Sequence, residues 1–277
     1  MSAWQIYRDM YPDLTVSLRT EQDAKRHFIQ YGRNEGRLWV DNLPWTIANF
    51  ATIYAPCFAG LQGIETGGPS DVFKDAVPVY RLARRVDGCN FATRTMWEDN
   101  LKEGQDYRSP GTVETGRQFI CEARSVPVAD ATYDFLLSSH CLEHSANPLA
   151  VMREAKRLVR SGGHLLFILP WKEACFDHGR EVTPLAHLVD DERADMGEDD
   201  LSHLDEWVER IDIVMTGLPS RDFLRRRDAD NLANRGMHHH VFDLALLQQM
   251  VQHVGGLQIL HTDLLQPFHQ VMLLRKR

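Results

Sequence analysis

The sequence predicts an α/β fold organised on a mainly parallel sheet, and three observations lead to it. Residues 133–170 read as strand, helix, strand, and two apolar strands joined by a helix form a parallel βαβ unit. A glycine turn, Gly67-Gly68, ends an earlier strand over Gly60 to Glu65, one strand–helix repeat before that unit. Two apolar runs, 257–260 and 270–274, read as further strands after a C-terminal helix. The 277 residues suffice for one large domain and a small appendage.

In the central unit, Tyr133 to Ser139 is the first strand and His140-Cys141-Leu142-Glu143-His144 follows it. Asn147-Pro148 opens a helix whose apolar face is Leu149, Met152, Ala155, Leu158 and Val159. Ser161-Gly162-Gly163 is expected to stop it, since glycine tolerates the left-handed conformation of a helix end. His164 to Pro170 is the second strand. Glu143 suits the positive end of the helix dipole and His144 suits local packing; a direct catalytic role is the competing reading for each.

The same stretch carries a resemblance. Tyr133-Asp134-Phe135, Leu142-Glu143-His144, Asn147-Pro148, Glu154, Arg157-Leu158-Val159 and Gly162-Gly163 stand at the spacing of strand 4, helix D and strand 5 of class I S-adenosylmethionine (SAM)-dependent methyltransferases. The type 11 group is the most similar. The resemblance implies a Rossmann-like sheet, SAM as cofactor, and a ligand crevice at the carboxyl edge of the strands.

Residues 1–44 are expected to be a separate helical module and linker, and residues 45–277 the main domain. Tyr7, Met10, Tyr11, Leu14 and Leu18, then His27, Phe28, Tyr31, Gly32 and Glu35-Gly36-Arg37, suggest two short helices. The pattern resembles a small module attached to bacterial glycosyltransferases and surface-glycan enzymes; a helical hairpin that only caps the main domain is the plainer alternative. Asp41 to Trp45 reads as the linker, and the apolar segment from Trp45 to Ala59 as a cover for the sheet edge.

At the end of strand 1, the family resemblance implies that Glu65 reaches the methionine amino group of SAM while Gly67 and Gly68 let the backbone approach. Pro69 departs from the family's third small residue. Residues 77–82 are expected to be strand 2, and Asp87 the acid on the ribose hydroxyls, with Glu98 competing. Residues 99–116 read as loop and 119–123 as strand 3. Glu122 and Ala123 would border the adenine, and Ser139 and His140 would line the crevice after strand 4.

Residues 171–240 interrupt the strand–helix alternation as an insertion, expected to form an acceptor lid after strand 5. Its Phe176-Asp177-His178-Gly179-Arg180, Glu198-Asp199-Asp200-Leu201 and His238-His239-His240-Val241-Phe242-Asp243 segments resemble a subset of type 11 methyltransferases encoded beside glycan-building enzymes. Six of the 13 histidines lie here: His178, His187, His203, His238, His239 and His240. They could remove a proton from an acceptor hydroxyl, hold a divalent metal, or bond carboxylates and backbone in a polar lid. In an extended triplet, His238 and His240 face one side and His239 the other, so the three cannot chelate one ion unaided. No H-E-x-x-H spacing is present and no metal is assigned. His178, His203, His239 and His240 are the expected bases or acceptor ligands, with Arg180 gripping an acidic group. Asp243 is expected to cap the next helix, whose Leu246, Leu247, Met250, Val251 and Val254 form a core stripe.

The net charge of −8 argues against broad binding of nucleic acid or anionic membranes; Arg225-Arg226-Arg227 reads as a solvated face or a contact for an acidic group. Cys57, Cys89, Cys121, Cys141 and Cys175 form no C-x-x-C pair, so neither a thiolate zinc site nor a disulfide frame is indicated. No basic-then-apolar leader or spanning run is read, which gives a cytoplasmic expectation. The functional expectation is SAM-dependent O-methylation of a sugar or glycan intermediate, with glycosyltransferases as candidate partners. The alternative is a catalytically weak SAM-fold subunit that docks glycan enzymes through residues 1–40. A nicotinamide-dependent sugar enzyme is disfavoured because no Y-x-x-x-K pair occurs.

Overall fold

The computed structural model describes Trp4, residues 7–8, 12–14, 16–32, Glu35, and residues 53–107, 109–265 and 267–277. Met10, Tyr11, Gly36-Arg37, the linker read at 41–45 and residues 45–52 of the covering segment lie outside the described residues.

Eight strands among the described residues form one mixed sheet: β1 Gln62–Thr66, β2 Arg85–Asn90, β3 Asp106–Tyr107, β4 Gly116–Ile120, β5 Tyr133–Ser139, β6 Val159–Pro170, β7 Leu257–Leu265 and β8 His269–Lys276. Their order is β3-β4-β2-β1-β5-β6-β8-β7. The central pairs β4·β2, β2·β1, β1·β5 and β5·β6 are parallel, and β6·β8, β8·β7 and β3·β4 are antiparallel. The described helices are α1 Glu21–His27, α2 Ala55–Phe58, α3 Pro148–Leu158, α4 Leu185–Arg193, α5 Leu204–Arg210, α6 Ile213–Thr216, α7 Arg221–Asp228, α8 Asn231–Asn234 and α9 Leu244–Val254.

The strands are apolar on both faces because both faces are covered. Leu136, Leu165 and Phe167 pack with Leu149 and Met152 of α3 and Leu247 and Met250 of α9. Phe135, Leu137, Leu166 and Ile168 point the other way, against Phe58, Phe73 and Tyr80. Asn147 caps α3 by accepting from Ala150 N at 3.1 Å, with Pro148 in its first turn. Asp243 caps α9 in the same way, accepting from Leu246 N at 2.7 Å. Near the N-terminus, Tyr7, Leu14, Leu18, Ala24 and Phe28 form a small cluster, with Trp171 packed against it.

Several sequence expectations shift. The expected strand at 77–82 is a short 3₁₀ turn at Val79–Arg81, and β2 begins at Arg85. Val77, Val79 and Tyr80 are buried, which explains the apolar run, but Pro78 cannot donate to a ladder. The real strand was obscured by Asp87, which is buried with its own partners. Strand 3 begins earlier than expected, at Gly116, and the loop at 99–116 contains the short β3. Helix α3 ends at Leu158, before Gly162-Gly163, and those glycines lie inside β6, where a Cβ on Gly163 would meet Asp134 O at 2.3 Å.

Candidate active site

The strand order turns back on itself at β1, and a cavity of about 410 Å³ opens at the carboxyl ends of the parallel strands there. Gly67, Asn90, Glu122, Ala123, Ser139 and His140 line it. Gly67 has φ +77, a conformation that glycine adopts without strain. A Cβ on Gly68 would lie 2.1 Å from Glu65 Cδ, so that position requires glycine for close approach.

Glu65 is fully buried behind this turn. Its Oε2 accepts from Tyr80 Oη at 2.5 Å and Tyr107 Oη at 2.7 Å, and its Oε1 accepts from Ser70 N at 3.1 Å. Burial pushes its carboxyl up to about 7, although these three bonds pull the other way. Glu65 therefore braces the turn from behind and is absent from the cavity lining. Asp87 is likewise withdrawn. It sits in mid-strand, where Oδ1 accepts from Arg85 Nε and Arg117 N, both at 2.8 Å, and Oδ2 accepts from Tyr133 Oη at 2.9 Å. Asn90 ends β2 instead, lining the cavity and donating to Gly68 O at 2.9 Å. Glu98 also lines it, with its carboxyl pushed up by burial and then by Asp99 and Asp71. Glu122 accepts from Arg235 Nη2 at 2.7 Å.

A second cavity, about 310 Å³, adjoins the first across Trp97, His140 and His144. Phe176, Trp207 and Phe268 give it aromatic walls, and Glu143 and His238 add polar groups. Glu143 is 1% exposed, and neither carboxylate oxygen has a hydrogen-bond partner. Its Oε1 lies 3.5 Å from His140 Nδ1. Burial acts to raise its carboxyl, but His140, His144 and His238 outweigh that and hold it below the usual range. Burial drives His144 down to about 3. His140 Nε2 is 2.7 Å from His269 Nδ1.

His238 is 2.6 Å from Asp177, through Nδ1 and Oδ2. Asp177 is buried; burial raises its carboxyl, but His238 and Arg180 together hold it below the ordinary value. Arg180 donates to Asp177 Oδ1 and His238 O at 3.0 Å and to Glu206 Oε2 at 2.8 Å, and stacks 5.1 Å from the Trp207 ring centroid. It is 2% exposed, so its fork is committed to the lid and unavailable to grip an acceptor.

The five residues read as catalytic or acceptor-binding, His178, Arg180, His203, His239 and His240, line neither cavity. His178 pairs with Asp212 at 2.9 Å on the outside of the insertion. His203 meets His187 at 2.9 Å. His239 bonds Asn231 Nδ2 at 2.9 Å, and burial drives it down to about 3. Burial also holds His240 well below the ordinary value. The triplet's rings go to three different surroundings, because the extended segment is pinned by His239 N to Glu143 O at 2.9 Å and Val241 N to Thr183 Oγ1 at 3.0 Å. Asn90 and Asp177 have no assigned role in the sequence reading, and His238, weighed among the six histidines, is left out of the expected bases. Asp177 stands three residues before Arg180, and that i, i+3 acid–base spacing was the available signal.

The cavity at the strand ends suits a nucleoside cofactor. Its volume falls in the range of small-molecule sites, and Ser139 Oγ, buried without a partner, lies on its wall. Among the described residues, two sets of side chains could hold a metal ion: Glu143, His144 and His238, and His187, His203 and His240.

Residues 80–167 match the family model of a methyltransferase domain. A search of curated proteins finds no match. Among solved structures, a SAM-dependent methyltransferase from Mesorhizobium loti is similar at 14% identity and a TM-score of 0.48, over 83% of this chain and 96% of that one. One from Methanosarcina mazei is similar at 12% identity and a TM-score of 0.45, over 85% of this chain and 98% of that one. One from Aquifex aeolicus is similar at 8% identity and a TM-score of 0.46, over 94% of this chain and all of that one. The matched domain implies S-adenosylmethionine as the cofactor. With its eight-stranded mixed sheet, the chain has the α/β Rossmann-like methyltransferase fold and is, in general class, a SAM-dependent methyltransferase.

Proposed function

We propose that the chain methylates a hydroxyl of a sugar or glycan intermediate, with His238 of the insertion as general base. The observation that carries this reading is the Asp177–His238 contact of 2.6 Å beside the second cavity. Asp177 accepts the Nδ1 proton, which selects the tautomer whose Nε2 has a free lone pair. Among the described residues Nε2 has no hydrogen-bond partner. Bound SAM would supply an electrophilic methyl group, its sulfonium C–S bond breaking so that the electron pair leaves on a neutral thioether. His238 Nε2 takes the proton of the acceptor hydroxyl as its oxygen forms the new bond to carbon, so no free alkoxide accumulates.

The walls of the second cavity support a hydroxyl-rich acceptor. Trp97 and Phe176 offer apolar ring surface to a sugar, and the two unpartnered oxygens of Glu143 await donors. Leaving such oxygens unsatisfied is costly, and acceptor hydroxyls would satisfy them. For the cofactor, Asn90 and Glu98 line the first cavity and Asp87 does not, and Glu122, Ala123, Ser139 and His140 complete the wall. In the same reading, the N-terminal segment, residues 1–44 with its linker, docks glycan-assembly enzymes.

The test is transfer of tritiated methyl from SAM to a panel of simple glycosides and nucleotide sugars. The expected product is an alkali-stable methyl ether, formed by the wild type and lost in His238→Ala. Label on a carboxylate or amine would overturn the acceptor class, and full turnover by folded His238→Ala would overturn the base.

A further inference from the structure

The proposed reaction leaves a second set of histidines unused. His187 on α4, His203 just before α5 and His240 on the returning segment each bring a ring nitrogen within 4.8 Å of the others. The Nε2 atoms of His187 and His203 are 2.9 Å apart. Asp191, one turn along α4, places Oδ2 3.4 Å from His187 Nε2 and 3.5 Å from His240 Nε2. Nitrogen and oxygen ligands at about 2.0–2.1 Å from a tetrahedral zinc ion stand roughly 3.3 Å from one another. The spacing of these atoms is therefore that of a ligand shell.

One of these atoms points to a missing partner. Asp191 Oδ2 is buried without a hydrogen-bond partner, and His240 Nε2 has only Ala146 O at 3.4 Å. Asp191 is 5% exposed, so bulk water does not serve its carboxylate. His187 has a side chain that is 41% exposed, which opens a path from solvent. Three imidazoles beside one carboxylate suit a borderline transition-metal ion and are unlike the all-oxygen shells of calcium or magnesium.

We propose that His187, His203 and His240, with Asp191 beside them, bind one divalent transition-metal ion, zinc by ligand type, as a staple of the insertion. The ligands come from α4, from the loop after it and from the segment that returns to the sheet. The loop carries Glu198, which accepts from Ala146 N at 3.1 Å through Oε2 and lines the cofactor cavity. The ion thus ties the lid to the cofactor wall without touching the acceptor, and its free energy of binding is available to order the lid.

The test uses the full chain, free of any affinity tag and stripped with a chelator, titrated with Zn²⁺ by calorimetry and with Co²⁺ by visible absorption. The expected results are one ion per chain, Co²⁺ bands of tetrahedral intensity, and at least a tenfold weaker affinity in His187→Ala and in His203→Ala. Asp191→Asn should weaken it about tenfold, and Glu143→Gln should leave it unchanged. His187→Ala alters a half-exposed side chain, so it keeps the test open if the other variants fail to fold by circular dichroism. No stoichiometric binding by the wild type would overturn the proposal. So would undiminished binding by His187→Ala, or loss of binding in Glu143→Gln.

Discussion

Asp177→Asn separates the proposed mechanism from a purely structural reading of the lid. Asp177 Oδ2 holds His238 Nδ1 at 2.6 Å, and its Oδ1 holds Arg180 Nη1 at 3.0 Å. An asparagine amide can instead donate to Nδ1, which moves the ring proton to Nε2 and removes the lone pair facing the cavity. General-base catalysis is worth about 10²–10⁴ in rate, and a reactive methyl donor places this case at the low end. The expected loss in kcat is thus about 100-fold, or about 2.7 kcal/mol. Stability should fall as well. Removing one partner of a buried ion pair costs about 3–5 kcal/mol. Arg180 keeps Glu206, so about 2 kcal/mol is expected here. The assay is kcat and KM at saturating SAM, beside urea unfolding and calorimetric SAM affinity. Affinity for SAM should be unchanged, since Asp177 does not line that cavity. A kcat within about threefold of the wild type in folded protein would refute the tautomer argument.

Other outcomes follow from the same geometry. Gly68→Ala forces a Cβ to 2.1 Å from Glu65 Cδ and should cost about 1–3 kcal/mol in urea unfolding, along with weaker SAM binding. Glu65 has a folded pKa raised from 4.5 to about 7, so its unfolded form loses the proton first. The contribution of Glu65 to stability should then be fully present below pH 4.5 and decline by about 3 kcal/mol as pH rises through 7. Glu65→Gln should flatten that slope, and an unchanged slope would count against the buried acid as its source. Asp87→Asn should lower stability while leaving the SAM dissociation constant within about twofold, whereas Asn90→Ala should weaken SAM about tenfold. The reverse ranking would return the ribose role to Asp87.

The sheet was legible where apolar runs coincide with strands. Phe135 to Leu137 and Leu165 to Leu169 are buried on both faces, so their sequence is continuous and apolar, and Asn147-Pro148 marks a helix start by local chemistry alone. Strand β2 was not legible. Its apolar content is interrupted by Asp87, whose cost of burial is offset by Arg85, Arg117 N and Tyr133, residues up to 46 positions away. The preceding run that looks like a strand is packed against Phe73 as a turn. The lining of the first cavity was partly legible, because Gly67, Glu122, Ala123 and His140 follow strands, Ser139 ends one, and such positions share one edge. The insertion was the hardest segment. Which of six histidines meets the acceptor depends on contacts such as Asp177 with His238, 61 residues apart, that no local pattern encodes. Arg180 illustrates the limit: its residue type suggests anion recognition, and only its neighbours reveal a buried brace.

The most direct test of the account is a calorimetric titration of the purified chain with SAM, paired with Asn90→Ala and Asp87→Asn. One site per chain with micromolar affinity is expected, weakened by Asn90→Ala and kept by Asp87→Asn. Absence of binding heat at any temperature where the wild type is folded would contradict it, as would binding that depends on Asp87 and ignores Asn90.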